Sequence, residues 1–245
     1  MSVGRDALFY KNDHERRGQA IIFAHEKFDD LTLSSRECAS HDTAISRRAF
    51  EHLGFEVMVH RNLTKANFEQ KLQEVSRQDH QASDCLVVVF MSHGNVSCNN
   101  KEFLWTRDGK VDTSELWKNF TPDKCPSLAG KPKLFFIQAC RDENIDKGVA
   151  MKRHKRSLKV QTDSISTQED YVIPLHADML RMWASYPGVD GAWQEYGSLL
   201  PAAAVTREVA AQYDESCTGQ SDLLHRNNKT PYMGSTLMRH LYFPV

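Results

Sequence analysis

The sequence predicts an α/β fold: a mostly parallel central sheet of about six strands with helices on both faces. Three observations carry this. The runs AIIFA (20–24), CLVVVFM (85–91) and KLFFIQA (133–139) are continuously apolar, as strands buried on both faces of a parallel sheet are. Segments of helical period lie between them. Two of the runs lead straight into reactive residues, Ser92-His93-Gly94 and Cys140-Arg141, and in open α/β sheets sites form just outside the carboxyl ends of the strands.

The elements follow in order. After the first strand, Ile45, Ala49, Phe50 and Leu53 share one face of a helix over 42–53, which Gly54 stops. FEVMV (55–59) is the next strand. Thr64 caps a helix whose Phe68, Leu72 and Val75 align. The strand 85–91 comes next. Asp112 with Glu115 resembles a capping box ahead of Leu116, Trp117 and Phe120, and the strand 133–139 closes the first half. Strand, helix, strand alternation implies an α/β fold with helices on both faces. In the second half, strands are expected near 179–184 and at 240–243, with a helix near 202–213. Cys85 reads as a small core residue, and Trp105, Trp117 and Trp183 as packing residues.

Composition narrows the function classes. The chain has 245 residues, 40% hydrophobic and 26% charged, with a formal net charge of −1. Nothing in that balance draws it to nucleic acid or an anionic membrane. Its longest apolar run is far short of the roughly 20 residues that span a bilayer. Six cysteines occur without a C-x-x-C pair, which argues for a reduced, cytoplasmic setting and against a metal site. Neither GxGxxG nor a P-loop is present, so no nucleotide and no cofactor is expected. Residues 146–170 hold a basic cluster followed by a Ser/Thr/Gln/Asp/Glu stretch, which reads as an exposed linker. The expected organisation is one fold in three parts: 1–145, the linker 146–170, and 171–245. Within the linker, Lys152–Arg156 reads as a surface stretch in preference to a nuclear-targeting patch.

The chemistry concentrates on His93 and Cys140. A thiolate is a strong nucleophile, and an imidazole beside it can take or balance its proton. Gly94, without a side chain, lets its N–H approach a substrate carbonyl, and with the N–H of Cys140 it could form an oxyanion hole. The run Gln138-Ala139-Cys140-Arg141 with a histidine 47 positions upstream is close to a known signature. With YKND, SRECASHD, AFEHLGFEV, FMSHG, GKPKLFFIQACR, YVIPLHADML, YPG and LYF in sequence, the chain resembles the caspase family over nearly its whole length.

That resemblance implies a zymogen with a large subunit, a cuttable linker and a small subunit. It further implies dimerisation through the last strand near Leu241–Phe243, cleavage after aspartate, and a place in apoptosis or inflammation. His93 would be the general acid/base and Cys140 the nucleophile. Arg36 and Gln138 would hold the P1 aspartate, and Asp163 would be a processing site. Partners would be another caspase chain, as homo- or heterodimer, and peptide substrates.

The sequence also departs from the family. A second P1-binding arginine normally follows the Pro-Gly pair, yet there is no arginine between Arg181 and Arg207. Two registers are open after Pro187-Gly188. In one, Trp193 or Gln194 takes the arginine's place. In the other, Asp190-Gly191-Ala192-Trp193 matches a later family segment and the substrate loop is deleted; four consecutive residues favour the latter. Asp142 replaces the signature's glycine, setting a carboxylate beside the nucleophile. Cys38-Ala39-Ser40 and Asn95 replace residues common in the family. The expectation is a degenerate caspase that regulates an active relative by activating or decoying it, with an active aspartate-specific endopeptidase as the alternative.

Overall fold

The computed structural model describes residues 7–37, 39–96, 101–139, 175–183, 232–241 and 243. Within them, β1 (Arg16–Ala24), β3 (Ser83–Met91), β7 (Lys133–Gln138) and β8 (Met179–Trp183) form the middle of a six-stranded sheet in the order β2-β1-β3-β7-β8-β9. The strand β2 (Glu56–Arg61) pairs parallel with β1, and β9 (Tyr232–Ser235) pairs antiparallel with β8. The mostly parallel six-stranded sheet is therefore as expected.

Alternation along the strands builds two cores. Ile21, Phe23, Leu86, Val88, Phe90, Phe135 and Ile137 face helix α2 (Lys65–Ser76), where Phe68, Leu72 and Val75 meet them. Ala20, Ile22, Val87, Val89, Leu134 and Phe136 face helix α1 (Ala39–His52) through Phe50, with Leu53 just beyond it. All nine residues of β3 are buried, because both faces of this central strand are covered.

The helix ends follow local chemistry. The Thr64 hydroxyl accepts from the Asn67 N–H at 3.3 Å. Gly54, at φ 84°, closes α1: its N–H reaches the Glu51 carbonyl and that of Phe55 the Phe50 carbonyl, both at 3.0 Å, a Schellman closure.

Three expectations change. The capping pattern at Asp112 does cap, accepting from the Ser114 N–H at 2.8 Å, but only a 3-10 turn (Thr113–Leu116) follows. Pro122 disfavours helix at the residue before it, and Trp117 turns in to pack against Phe135 and Trp183. The buried face of α1 is Ala39, Asp42, Thr43, Ser46 and Phe50, with Ile45 and Ala49 only half-buried. Among the described residues of 240–243 none lies in a strand: His240 makes an isolated bridge to Phe9, while Phe243 is buried edge-on to Phe55 beneath Arg17. Phe243 serves this chain's own core, and the last strand of the sheet among the described residues is β9. The expected helix near 202–213 and the linker lie outside the described residues. Among the described residues no helix is long and apolar enough to cross a membrane.

Candidate active site

The carboxyl ends of β1, β3 and β7 finish level. Ala24 pairs with Met91 and Met91 with Gln138. Just beyond, the His25 N–H reaches the Met91 carbonyl at 2.8 Å and the Ser92 N–H the Gln138 carbonyl at 3.1 Å. This rim carries His93, Gly94 and Gln138, and the segment entering α1 brings Arg36 to it.

His93 is half-buried beside the ring of Phe28, 4.9 Å away between centroids. Its Nε2 lies 2.8 Å from the Ser34 carbonyl oxygen. A carbonyl only accepts, so Nε2 carries the hydrogen and Nδ1 is the proton-accepting nitrogen of the neutral ring. Burial pushes the His93 pKa below its ordinary 6.5; the Ser34 bond opposes this and the Arg36 charge adds to it. The ring is therefore neutral at pH 7, the form a general base needs.

Gly94 opens the hairpin strand β4 (Gly94–Val96), which pairs with β5 (Glu102–Trp105), itself paired with β6 (Lys110–Asp112). The Trp105 N–H donates to the His93 carbonyl at 2.9 Å, so His93 and Trp105 form a hydrogen-bonded pair. Gly94 and Leu104 are then the non-hydrogen-bonded pair next to it. The N–H of Gly94 therefore points away from β5, as a donor to an oxyanion must.

Arg36 is 2% exposed. Its N–H reaches the Glu26 carbonyl at 2.9 Å and its guanidinium donates through one terminal nitrogen to the His25 carbonyl at 2.7 Å. Gln138 donates from Nε2 to Asp42 Oδ2 at 2.9 Å, with both residues buried. Thus the structure brings His93, Gly94, Arg36 and Gln138 to one end of the sheet. Cys140, Asp142, Asp163, Trp193 and Gln194 lie outside the described residues.

Two participants escaped the sequence reading. The Ser34 carbonyl leaves no trace in sequence, because any residue supplies one. Asp42 had a signal: a carboxylate on the inward side of a helix, which only a buried polar partner explains.

A parallel sheet with a histidine at the end of one strand, and a cysteine in sequence two residues after the strand beside it, is the scaffold of an α/β cysteine protease. The comparisons narrow the class. The Caspase domain family matches residues 17–200. Caspase-1 of Spodoptera frugiperda is 35% identical over 99% of this chain and 84% of its own length. Caspase drICE of Drosophila melanogaster is 33% identical over 99% and 74%, and Caspase-6 of Mus musculus 32% over 96% and 91%. The crystal structure of the Spodoptera caspase-1 superposes with a TM-score of 0.80 at 31% identity, covering 99% of this chain and 98% of the other. The chain belongs to the caspase family.

Proposed function

We propose that this chain is a caspase-family protein of impaired or absent peptidase activity that binds an active caspase and regulates it, as an activator or a decoy. The observation that carries this reading is the absence of any arginine between Arg181 and Arg207, which leaves Arg36 as half of the family's P1 clamp. Removing one partner of a buried charged pair costs about 3–5 kcal/mol, roughly a 10²–10⁴-fold loss in kcat/KM. The sheet core that would support a dimer surface is intact by contrast, and the setting proposed is cytoplasmic and apoptotic. Mixing the purified chain with an active caspase should change the partner's activity and yield a heterodimer by size-exclusion chromatography. If neither a complex nor a change in activity is seen, the proposal is wrong.

A second reading is an active endopeptidase cleaving after aspartate and processing itself at Asp163. It is favoured by the neutral, carbonyl-anchored His93. Aspartyl peptide substrates compared between the chain and its Cys140→Ala variant decide it: equal rates end this reading.

A further inference from the structure

We infer that Asn62, just past the end of the edge strand β2, is a positioning residue for His93: its side-chain oxygen fixes the turn from which the Ser34 and Phe28 contacts to the ring are built. The inference deepens the endopeptidase reading of this site, and its test reads the ring and not turnover, so that the two can fail separately.

The argument begins with backbone geometry. Asn62 follows Arg61, the last residue of β2, and takes φ 49°, in the left-handed region that asparagine tolerates better than most residues. From there one residue bonds three times to the segment leaving β1. Its N–H donates to the Ala24 carbonyl at 2.9 Å. Its Oδ1 accepts from the Glu26 N–H at 2.8 Å and from the Lys27 N–H at 3.0 Å. An amide oxygen takes two donors because it has two lone pairs. Any residue supplies the first bond through its backbone; only a short side chain with an acceptor supplies the other two.

Both anchored residues lead to His93. The Glu26 carbonyl accepts the Arg36 N–H at 2.9 Å, and the His25 carbonyl accepts the Arg36 guanidinium at 2.7 Å. Arg36 lies two residues beyond Ser34, whose carbonyl receives Nε2 of His93 at 2.8 Å. Lys27 precedes Phe28, whose ring lies 4.9 Å from that of His93 between centroids. Releasing the Glu26 and Lys27 N–H groups therefore loosens Ser34 and Phe28 together. A ring whose Nε2 has lost its acceptor can carry its proton on either nitrogen, and Nδ1 is then no longer reserved for accepting. The segment keeps other ties when the side chain is gone. The Asp29 N–H reaches the Arg107 carbonyl at 2.8 Å, and the Arg107 N–H reaches the Leu63 carbonyl at 3.0 Å. The expected defect is in the setting of the ring, not in folding.

Long-range proton–nitrogen NMR of the His93 ring tests this on the full chain at about pH 8, above the depressed pKa of the ring. In the unmodified protein the proton should sit on Nε2. Asn62→Gly keeps the left-handed backbone and removes the acceptor. In it the Nδ1–H fraction should rise at least about fivefold, and the Glu26 and Lys27 amides should exchange at least about fivefold faster. Asn62→Asp retains an acceptor at the same φ and should hold the Nδ1–H fraction within about twofold of the unmodified protein. Should Asn62→Gly not fold, the unmodified protein warmed below its unfolding transition decides: the ring nitrogen shifts and the Glu26 and Lys27 amide shifts should move together. A proton on Nδ1 in the unmodified protein, a ring unmoved in Asn62→Gly, no rescue in Asn62→Asp, or ring shifts that drift while the amides hold overturns the inference. If these shifts behave as expected while aspartyl peptides go uncleaved, the endopeptidase reading falls and the positioning role stands.

Discussion

The Nε2 of His93 lies 2.8 Å from the main-chain oxygen of Ser34, 59 positions earlier. This contact fixes the tautomer of the ring and therefore which nitrogen can face a thiol. The segment presenting that oxygen is held in turn: the Arg36 N–H is bonded to Glu26 and the Leu33 N–H to Asp30. The His93 ring is thus held from the β1 side of the sheet as well as from β3.

The first prediction concerns the charge beside this ring. Arg36 depresses the His93 pKa by like-charge repulsion, secondarily to burial. In Arg36→Gln the His93 titration, followed by NMR of the imidazole protons, should move upward, staying below 6.5 because burial persists. A downward or absent shift would show that Arg36 is remote from His93.

Strand register makes a second prediction. Gly18 has φ +121°, and a Cβ built there would lie 1.9 Å from the Cys85 carbonyl oxygen. The clash is with backbone in the middle of the β1–β3 pairing, so no side chain can move aside. Gly18→Ala should destabilise the protein by more than about 2 kcal/mol. Chemical denaturation should show a lower midpoint; a change within about 0.5 kcal/mol, the range of an ordinary surface substitution, would contradict the register.

Much of this was legible in the sequence, for identifiable reasons. The strands 85–91 and 133–139 were plain because burial on both faces demands unbroken apolar runs. Thr64 and Gly54 were plain because caps are local. His93, Gly94 and Gln138 could be placed because each sits at, or directly beyond, the carboxyl end of such a strand. The described residues of 240–243 depart from the expected strand because an apolar closing segment looks the same in sequence whether it pairs as a strand or drops Phe243 onto Phe55. The face of α1 was misjudged because Asp42 and Ser46 point inward near the site, where polarity reverses the usual pattern. The Asp42–Gln138 bond spans 96 positions, and no local pattern reports so distant a pair.

Acid stability supplies a third prediction. His25 is fully buried against Phe90, and neither ring nitrogen has a hydrogen-bond partner among the described residues. Burial, reinforced by Arg36 and opposed by Asp108, pushes its pKa down to about 4 from 6.5. The folded state thus keeps the ring neutral while the unfolded chain protonates it. The stability from this group is complete above pH 6.5 and drains away as pH falls toward 4, by about 3 kcal/mol in all. His60, His80 and His93 are also depressed and act in the same direction. The denaturation midpoint should fall between pH 7 and pH 5. In His25→Phe the fall should be shallower, with a cost at pH 7 below about 1.5 kcal/mol. An unchanged pH slope in that variant would rule out His25 as a contributor.

A buried phenol ties residue 10 to residues 178 and 238. The Tyr10 hydroxyl donates to Asp178 Oδ1 at 2.7 Å and accepts from the Met238 N–H at 3.0 Å. Burial first, and Asp178 second, hold its pKa well above the ordinary range, so it remains a donor. Asp178 is 1% exposed at φ 60°, and its carbonyl accepts the Lys133 N–H. One hydroxyl therefore joins the N-terminal segment, the turn before β8 and the segment after β9. Tyr10→Phe keeps the ring, over which Arg239 lies, and removes the hydroxyl that bonds the buried Asp178 carboxylate and the Met238 N–H. It should cost about 2–4 kcal/mol, and amide exchange should speed most at Met238 and His240, whose N–H groups bond to residues 10 and 8. Asp178→Asn in the same background should restore part of the loss, because an amide left unpaired in the interior is far less costly than a charge. If the double variant is no more stable than Tyr10→Phe alone, the buried carboxylate is not what makes the hydroxyl necessary.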